Sequence, residues 1–205
     1  MHKEILKKHQ IDLLPFIKSF KREFYLVGGT AIALQLGHRH SLDFDLFKKS
    51  PINSKKIKEK VYALPFQKSL IHEENDQIHF IINGTKVTFL YFPFEIPHPK
   101  KLNDVISFPD LLNLAAMKAY AIGRRAKWKD YVDMYFIIKS GISANNISNR
   151  ANELFGDLFS KKLFLQQLVF FEDIDYTEEV EFIYGYDTTK DIIFNFLVEA
   201  ATESF

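Results

Sequence analysis

The 205-residue chain contains no cysteine. Disulfides, thiolate zinc sites, iron–sulfur clusters and thiol catalysis are therefore excluded. Long apolar runs are missing too: none reaches the roughly 18 residues of a membrane-spanning helix, so no membrane partner is expected. The first residues, MHKEILKKHQ, are charged and no apolar signal core follows them, which makes a cytoplasmic location the expectation. Tryptophan occurs once and methionine three times, whereas phenylalanine occurs 21 times and tyrosine nine. Aromatic rings bury large areas, so core filling is the first explanation of this excess; stacking on nucleic-acid bases needs only a few rings, and the count does not decide it. Apolar residues at 47% and charged residues at 26% exclude disordered, collagen-like and coiled-coil chains.

Net charge is only +1, but it is unevenly spread. Residues 1–140 carry +9 and residues 141–205 carry −8. A basic front favours a polyanionic partner such as a nucleotide or nucleic acid, and it also attracts the acidic back of its own chain.

Periodicity predicts a helix over 4–20, then a short buried strand, EFYLVGG, ending in a glycine pair. Thr30 is placed to cap the helix TAIALQL, which stops at Gly37. SLDFDLF alternates as a strand, with Leu42, Phe44 and Leu46 on one face and Asp43, Asp45 and Phe47 on the other. A basic helix is expected over 53–64 and strands at FQKSLIHE and QIHFII; Asn83-Gly84 then signals a hairpin into the strand TKVTFLYF. Three prolines make the residues after it an extended connector. From Pro109 onward helices are expected at 109–123, 127–140, 144–156, 160–170 and 188–200, with the acidic stretch before the last one irregular. The front half is α/β and the back half all helical.

Asp43 and Asp45 stand about 7 Å apart on one strand face. Like charges that close call for a cation between them, and an all-oxygen donor set favours Mg²⁺ or Mn²⁺. Upstream, Gly28 and Gly29 let a ligand approach the backbone, while Thr30 and the helix N-terminus behind it suit phosphate. The unit therefore reads as a phosphate cradle beside a metal-binding strand, although an exposed edge strand with two aspartates has the same pattern.

The stretch GGTAIALQLGHRHSLDFDLF closely resembles the AbiEii/AbiGii toxin family of the nucleotidyltransferase superfamily, of the polymerase-beta type. AAMKAYAIGRRAKWKDYVDMYFI resembles the helical motif of that family, in which a Lys, an Arg and a Lys-Asp pair recur, and LVFFEDID resembles its C-terminal segment. The resemblance implies an α+β fold: a nucleotidyltransferase-like α/β domain with a mixed sheet over 1–103, then a helical domain over 104–205 contributing a basic, phosphate-facing helix. It implies Asp43 and Asp45 as metal ligands and catalytic residues together with Lys129 and Asp130, and Gly28, Gly29, Thr30, Lys118, Arg125 and Lys129 as nucleotide-binding residues. On one unbroken helix Lys118, Arg125 and Lys129 would fall within about 40° of each other, with Asp133 holding Lys129 and Asp130 on the helix surface or behind the site; a solvated basic face is the alternative. Arg39 is placed to orient Asp45 or touch a phosphate, whereas His38 and His40 are read as structural.

The superfamily usually carries a third carboxylate on a later strand, here TKVTFLYF, but Thr88 stands in that place. Threonine cannot accept a proton at neutral pH. Glu73, Glu74 or Asp76 folding back, activation by metal alone, or binding without turnover would each account for this. The resemblance implies a toxin that transfers a nucleotide from an NTP, with Mg²⁺, to RNA, foremost tRNA, and that has an antitoxin partner. Lys48, Lys49, Lys55, Lys56, Lys58 and Lys60 offer themselves to an RNA backbone. A nucleotidyltransferase acting on a small molecule such as an antibiotic, and a non-catalytic binding protein, are the alternatives. The two carboxylates and the cationic helix are expected to face each other across one cleft.

Overall fold

The computed structural model describes residues 1–122 and 124–203. A five-stranded mixed sheet is built from β1 (Tyr25–Val27), β2 (Phe44–Lys48), β3 (Lys68–Glu73), β4 (Gln77–Ile82) and β5 (Thr85–Tyr91), in the order β1-β2-β5-β4-β3. β2 runs parallel to β5, and the other pairings are antiparallel. The sheet is followed by α4 (Leu111–Ile122), α5 (Trp128–Lys139), α6 (Ala144–Phe155), α7 (Lys161–Leu168) and α8 (Lys190–Thr202). In the front half, α1 (Lys8–Lys18) precedes the sheet, α2 (Gly28–Leu36) connects β1 to β2 and α3 (Ser54–Tyr62) connects β2 to β3. The α+β class with a mixed sheet is thus as expected. No described helix is long and apolar enough to cross a membrane.

Alternation sorts the sheet into two faces. Phe44, Leu46, Ile78, Phe80, Ile82, Val87 and Phe89 are buried on one of them. There the Phe89 ring lies 4.7 Å from Phe20, 5.3 Å from Phe24 and 6.4 Å from Phe16, which gives much of the aromatic excess its place. The opposite face carries Asp45, Phe47, Gln77, His79, Lys86, Thr88 and Leu90, and it looks toward α4.

Several boundaries differ from the sequence expectation. The first helix is split: Lys3–Ile5 form a 3₁₀ turn, and Lys7 is extended as the N-cap of α1, where the Gln10 side chain accepts its N–H at 3.0 Å. β2 starts only at Phe44, so Leu42 is exposed rather than facing the core, and Asp43 lies just past the end of the ladder. Asn83 and Gly84 both adopt positive φ, 51° and 76°, as the expected two-residue hairpin turn requires. The connector after β5 hides a hairpin of β6 (Lys100–Leu102) and β7 (Ile106–Phe108), with β7 packed beside β1. Three-residue strands are too short to leave a period in the sequence. The boundary expected between 103 and 104 falls in the turn of this hairpin.

Phe89→Ala removes the ring at which three others meet; it is expected to cost about 3–5 kcal/mol, measured as a fall in unfolding free energy in urea.

Candidate active site

The chain leaves β1 and turns directly into α2. Gly28 and Gly29 are the first two residues of that helix rather than a loop before it, and Val27 is its N-cap. Gly28 has φ +70°, and a Cβ there would overlap Asp45 Oδ2; a Cβ on Gly29 would overlap the Arg39 guanidinium. The glycine pair therefore lets a carboxylate and a guanidinium press against a helix N-terminus. Thr30 does not cap the helix. It is buried, and its hydroxyl engages Ser41 Oγ, 2.9 Å away, and the carbonyl of Asp43. The Thr30 hydroxyl is thus committed to holding the start of β2, not free for a phosphate.

Burial holds both Asp43 and Asp45 above the ordinary carboxylate value; the Asp45 charge adds to this at Asp43. Lys129 and Lys86 counter it at Asp43, while Lys86, the Thr88 hydroxyl, Arg125 and Lys118 counter it at Asp45. Two acids that resist joint ionisation beside these cations form a donor set that fits Mg²⁺ or Mn²⁺, which keep waters and accept phosphate oxygens. Among the described residues no group of three or more His, Cys, Asp or Glu converges on a metal position; this pair is what those residues would offer such an ion.

Across from the sheet, Lys118 on α4 is buried between Asp130 Oδ1 and Asp133 Oδ2, each 2.8 Å away. Asp133 also receives Arg39 through Nε at 2.7 Å and Nη2 at 2.9 Å, and His38 Nε2 at 2.8 Å. Despite burial, Arg39 and Lys118 hold the Asp133 carboxyl well below the usual range. Burial lowers the His38 pKa below its ordinary value, so this imidazole is neutral at pH 7. Arg125 Nε reaches Asp130 Oδ2 at 3.2 Å with 55% of its side chain exposed.

These two groups face each other across one cavity of about 410 Å³, whose lining includes Gly28, Asp45, Lys86, Thr88, Lys118 and Arg125. Its floor also bears His79 and Gln77, and its rim carries Arg124 stacked 3.6 Å above the Tyr120 ring. The expected cleft between carboxylate and cations is therefore present at Asp45.

The expected single basic helix face is not. α4 ends at Ile122 and α5 begins at Trp128, so Arg125 lies in the connection between them; Gly123, on which the unbroken helix hung, lies outside the described residues. Lys127 is extended there because it bridges Asp175. Lys129 sits 2.9 Å from Glu178, not beside Asp133, and Asp130 is buried rather than on the helix surface. Arg39 serves Asp133 instead of Asp45 or a phosphate. The lysine-rich segment is mostly paired within the chain: Lys49 with Glu95 and Lys56 with Glu23 at 2.5 Å, Lys58 with Glu73 at 2.8 Å, and Lys60 with the Ser19 carbonyl at 2.9 Å. Glu73 is thereby committed, so it does not replace the missing acid. Lys86, His79 and Glu178 escaped sequence reasoning. Only strand register brings the first two beside the carboxylates, and only the folded acidic segment brings the third to Lys127 and Lys129.

A family model for the nucleotidyl transferase AbiEii toxin of a type IV toxin–antitoxin system matches residues 16–93. The uncharacterized protein aq_aa25 of Aquifex aeolicus is 32% identical over 193 residues, which span 86% of this chain and 92% of its own. The chain belongs to the AbiEii toxin family. It is accordingly a nucleotidyltransferase. The fold of this AbiEii protein is similar to MenT4, a nucleotidyltransferase toxin from Mycobacterium tuberculosis H37Rv, with TM-score 0.63 and 12% identity over 94% of this chain and 81% of that one. It is similar also to JHP933 from Helicobacter pylori, with TM-score 0.58 and 16% identity over 98% and 92% of the two chains. The stretch of the AbiEii match contains β1 to β5, both glycines and both carboxylates; the buried cluster around Asp133 lies largely beyond it.

Opposite effects on stability are expected from the two kinds of aspartate. A carboxyl whose folded pKa is raised opposes folding at any pH above it, because the unfolded chain sheds that proton more readily. Asp45→Asn, freed of metal with EDTA, is therefore expected to raise the urea midpoint at pH 7, with the gain fading as pH falls through the raised pKa and gone below the ordinary 3.8. Asp133 has a depressed folded pKa and supplies stability above 3.8 that disappears as pH drops through that depressed value. Asp133→Asn leaves buried Arg39 without its charged partner and Lys118 with Asp130 alone, and is expected to cost about 3–5 kcal/mol at pH 7 in the same assay; a loss under 1 kcal/mol would contradict the role given to this cluster.

Proposed function

We propose that this chain transfers a nucleotide from a nucleoside triphosphate to a hydroxyl of RNA, tRNA foremost, in the cavity between β2 and α4. The observation that carries the reading is that Asp45 and the cations Lys86, Lys118 and Arg125 line one cavity of about 410 Å³, a size suited to a nucleotide. Asp43 and Asp45 would hold Mg²⁺ or Mn²⁺, and the bound ion would neutralise charge on the triphosphate. Lys86 and exposed Arg125 meet the phosphates directly. Lys118, pinned by two carboxylates, presents a fixed charge at the cavity wall rather than a mobile clamp, and Asp130 positions it together with Arg125. Gly28 and Gly29 bring the α2 N-terminus to the same wall as Asp45. Lys129, held by Glu178, offsets the Asp43 charge.

In the reaction the acceptor hydroxyl oxygen bonds to the α-phosphorus and the α–β bridging P–O bond breaks. Pyrophosphate leaves with that electron pair. The cations of the wall face the charge that builds on the phosphoryl oxygens, where they act most strongly. The family also makes a cognate antitoxin the natural protein partner. The one observation favouring a non-catalytic binding protein is Thr88 in place of an acid.

Incubation with each α-labelled NTP, Mg²⁺ and total bacterial RNA is expected to put label on RNA. Asp43→Ala and Asp45→Ala are expected to lower transfer about a thousandfold or more while circular dichroism stays unchanged. Wild-type turnover in both variants would remove the metal assignment; label retained by the protein and never passed on would favour the binding reading.

A further inference from the structure

Thr88 interrupts the acids of the sheet, but the row it belongs to continues. Thr88 is opposite Asp45 across the parallel β2–β5 pair and opposite His79 across the antiparallel β5–β4 pair. Residues paired across strands share a face. Asp45, Thr88 and His79 therefore stand side by side on the cavity floor. Two strand spacings separate Asp45 from His79, about 10 Å at the backbone, leaving room above Thr88 for a phosphoryl group and an attacking hydroxyl.

The tautomer of His79 is fixed by a chain of hydrogen bonds. Gln77 Nε2 donates to Glu74 Oε2 at 2.9 Å, which turns Gln77 Oε1 toward His79 Nε2, also 2.9 Å away. An amide oxygen only accepts, so the imidazole carries its proton on Nε2. Nδ1 is left with a lone pair and has no hydrogen-bond partner among the described residues. Glu74 anchors the chain as an anion: its bond from Gln77, and the nearby His72, hold its carboxyl below the usual value. Glu74 thus enters the site at second hand, through Gln77, rather than by folding into it.

We propose that His79 is the general base of the transfer, taking the acceptor proton in the place of the missing third carboxylate; this rests on the transfer reading above. The O–H bond of the acceptor breaks toward Nδ1 as the oxygen bonds to the α-phosphorus, and pyrophosphate departs with the electrons of the bridging P–O bond. The imidazolium that forms keeps its charge, donating from Nε2 to the Gln77 carbonyl oxygen, with the Glu74 carboxylate behind that amide. Burial, then Lys86 on β5 and His72 on β3, lower the His79 pKa below its ordinary value, against the opposing pull of Glu74. Lys118 and Arg125 face the floor from the helical side and Asp45 from β2. The base form therefore prevails at neutral pH.

The test is single-turnover transfer from α-labelled NTP to total RNA between pH 5 and 9, with wild type, His79→Ala and His79→Gln. Both variants are expected to slow transfer about 10²–10⁴-fold, to bind the labelled NTP within about twofold of wild type, and to lose the ascending limb that His79 contributes at acid pH. Added imidazole is expected to restore part of the rate in His79→Ala. Nitrogen-15 NMR of the free protein at pH 7.5 is expected to show His79 protonated on Nε2 alone. Wild-type rates in both variants, failure of imidazole to rescue, or a proton on Nδ1 overturns the inference while leaving the transfer reading intact. Absence of labelled RNA with wild type overturns both.

Discussion

Asp133 accepts hydrogen bonds from Arg39, His38 and Lys118 while fully buried. Its donors come from the segment leading into β2 and from α4, and Asp133 itself belongs to α5. One carboxylate therefore ties the strand that bears Asp45 to the helix that forms the opposite wall. Counted with Asp130 and Arg125, the cluster sets three fixed cations against two carboxylates, leaving one positive charge over at the cavity side. Breaking a buried pair is far worse than never having it, so the geometry of the cleft and the stability of the fold are secured by the same contacts. The acidic segment reinforces the arrangement from outside. Its backbone bridges Arg39 through Phe182 and Lys127 through Asp175, and its Glu178 gathers Lys127 and Lys129.

Asp43 and Asp45 have the reverse character. Burial raises both, and the Asp45 charge raises Asp43 further, so at neutral pH they work against folding instead of for it. A pair that the fold tolerates at a loss, with Asp45 set against a helix N-terminus and near Lys86, Lys118 and Arg125, has the electrostatics that the proposed binding of a cation and an anion together would relieve. The surrounding core tolerates that loss: Phe89 and its neighbouring rings brace the far side of the same sheet. The uneven charge of the sequence resolves into the same picture, since part of the basic front is spent on the acidic back, as Lys7 with Glu181 at 2.5 Å illustrates.

Local pattern carried the reading of the sequence a long way. Alternation in DFDLF, the Asn83-Gly84 turn and the helical periods after Pro109 depend on neighbours a few residues apart, and each element formed close to where the pattern put it. What failed depended on distant partners. Thr30 reads as a cap because threonine before a helix usually is one; its hydroxyl turned inward because Ser41 and Asp43 lie beneath it. Lys118, Arg125 and Lys129 align on paper only if one helix continues, whereas the chain turns between α4 and α5 and Lys129 finds Glu178, nearly fifty residues away. The β6–β7 hairpin escaped because three residues show no period. Arg39 meeting Asp133 spans 94 positions, beyond any local signal.

The same limit explains why Thr88 reads as a deficit in sequence and differently in three dimensions. A third acid at that position would stand directly beside Asp45 and raise further a pair that burial already raises. A threonine instead offers its hydroxyl to Asp45 and eases its ionisation. A proton acceptor one strand farther out, neutral at rest, adds no negative charge to the floor and still acquires a stabilised positive one through Gln77 and Glu74 once it has taken a proton. A base on β4 in place of a carboxylate on β5, as proposed, would thus separate two tasks that compete when acids are crowded together: holding a divalent ion, which needs ionised carboxylates, and removing a proton, which needs a free lone pair near neutral pH.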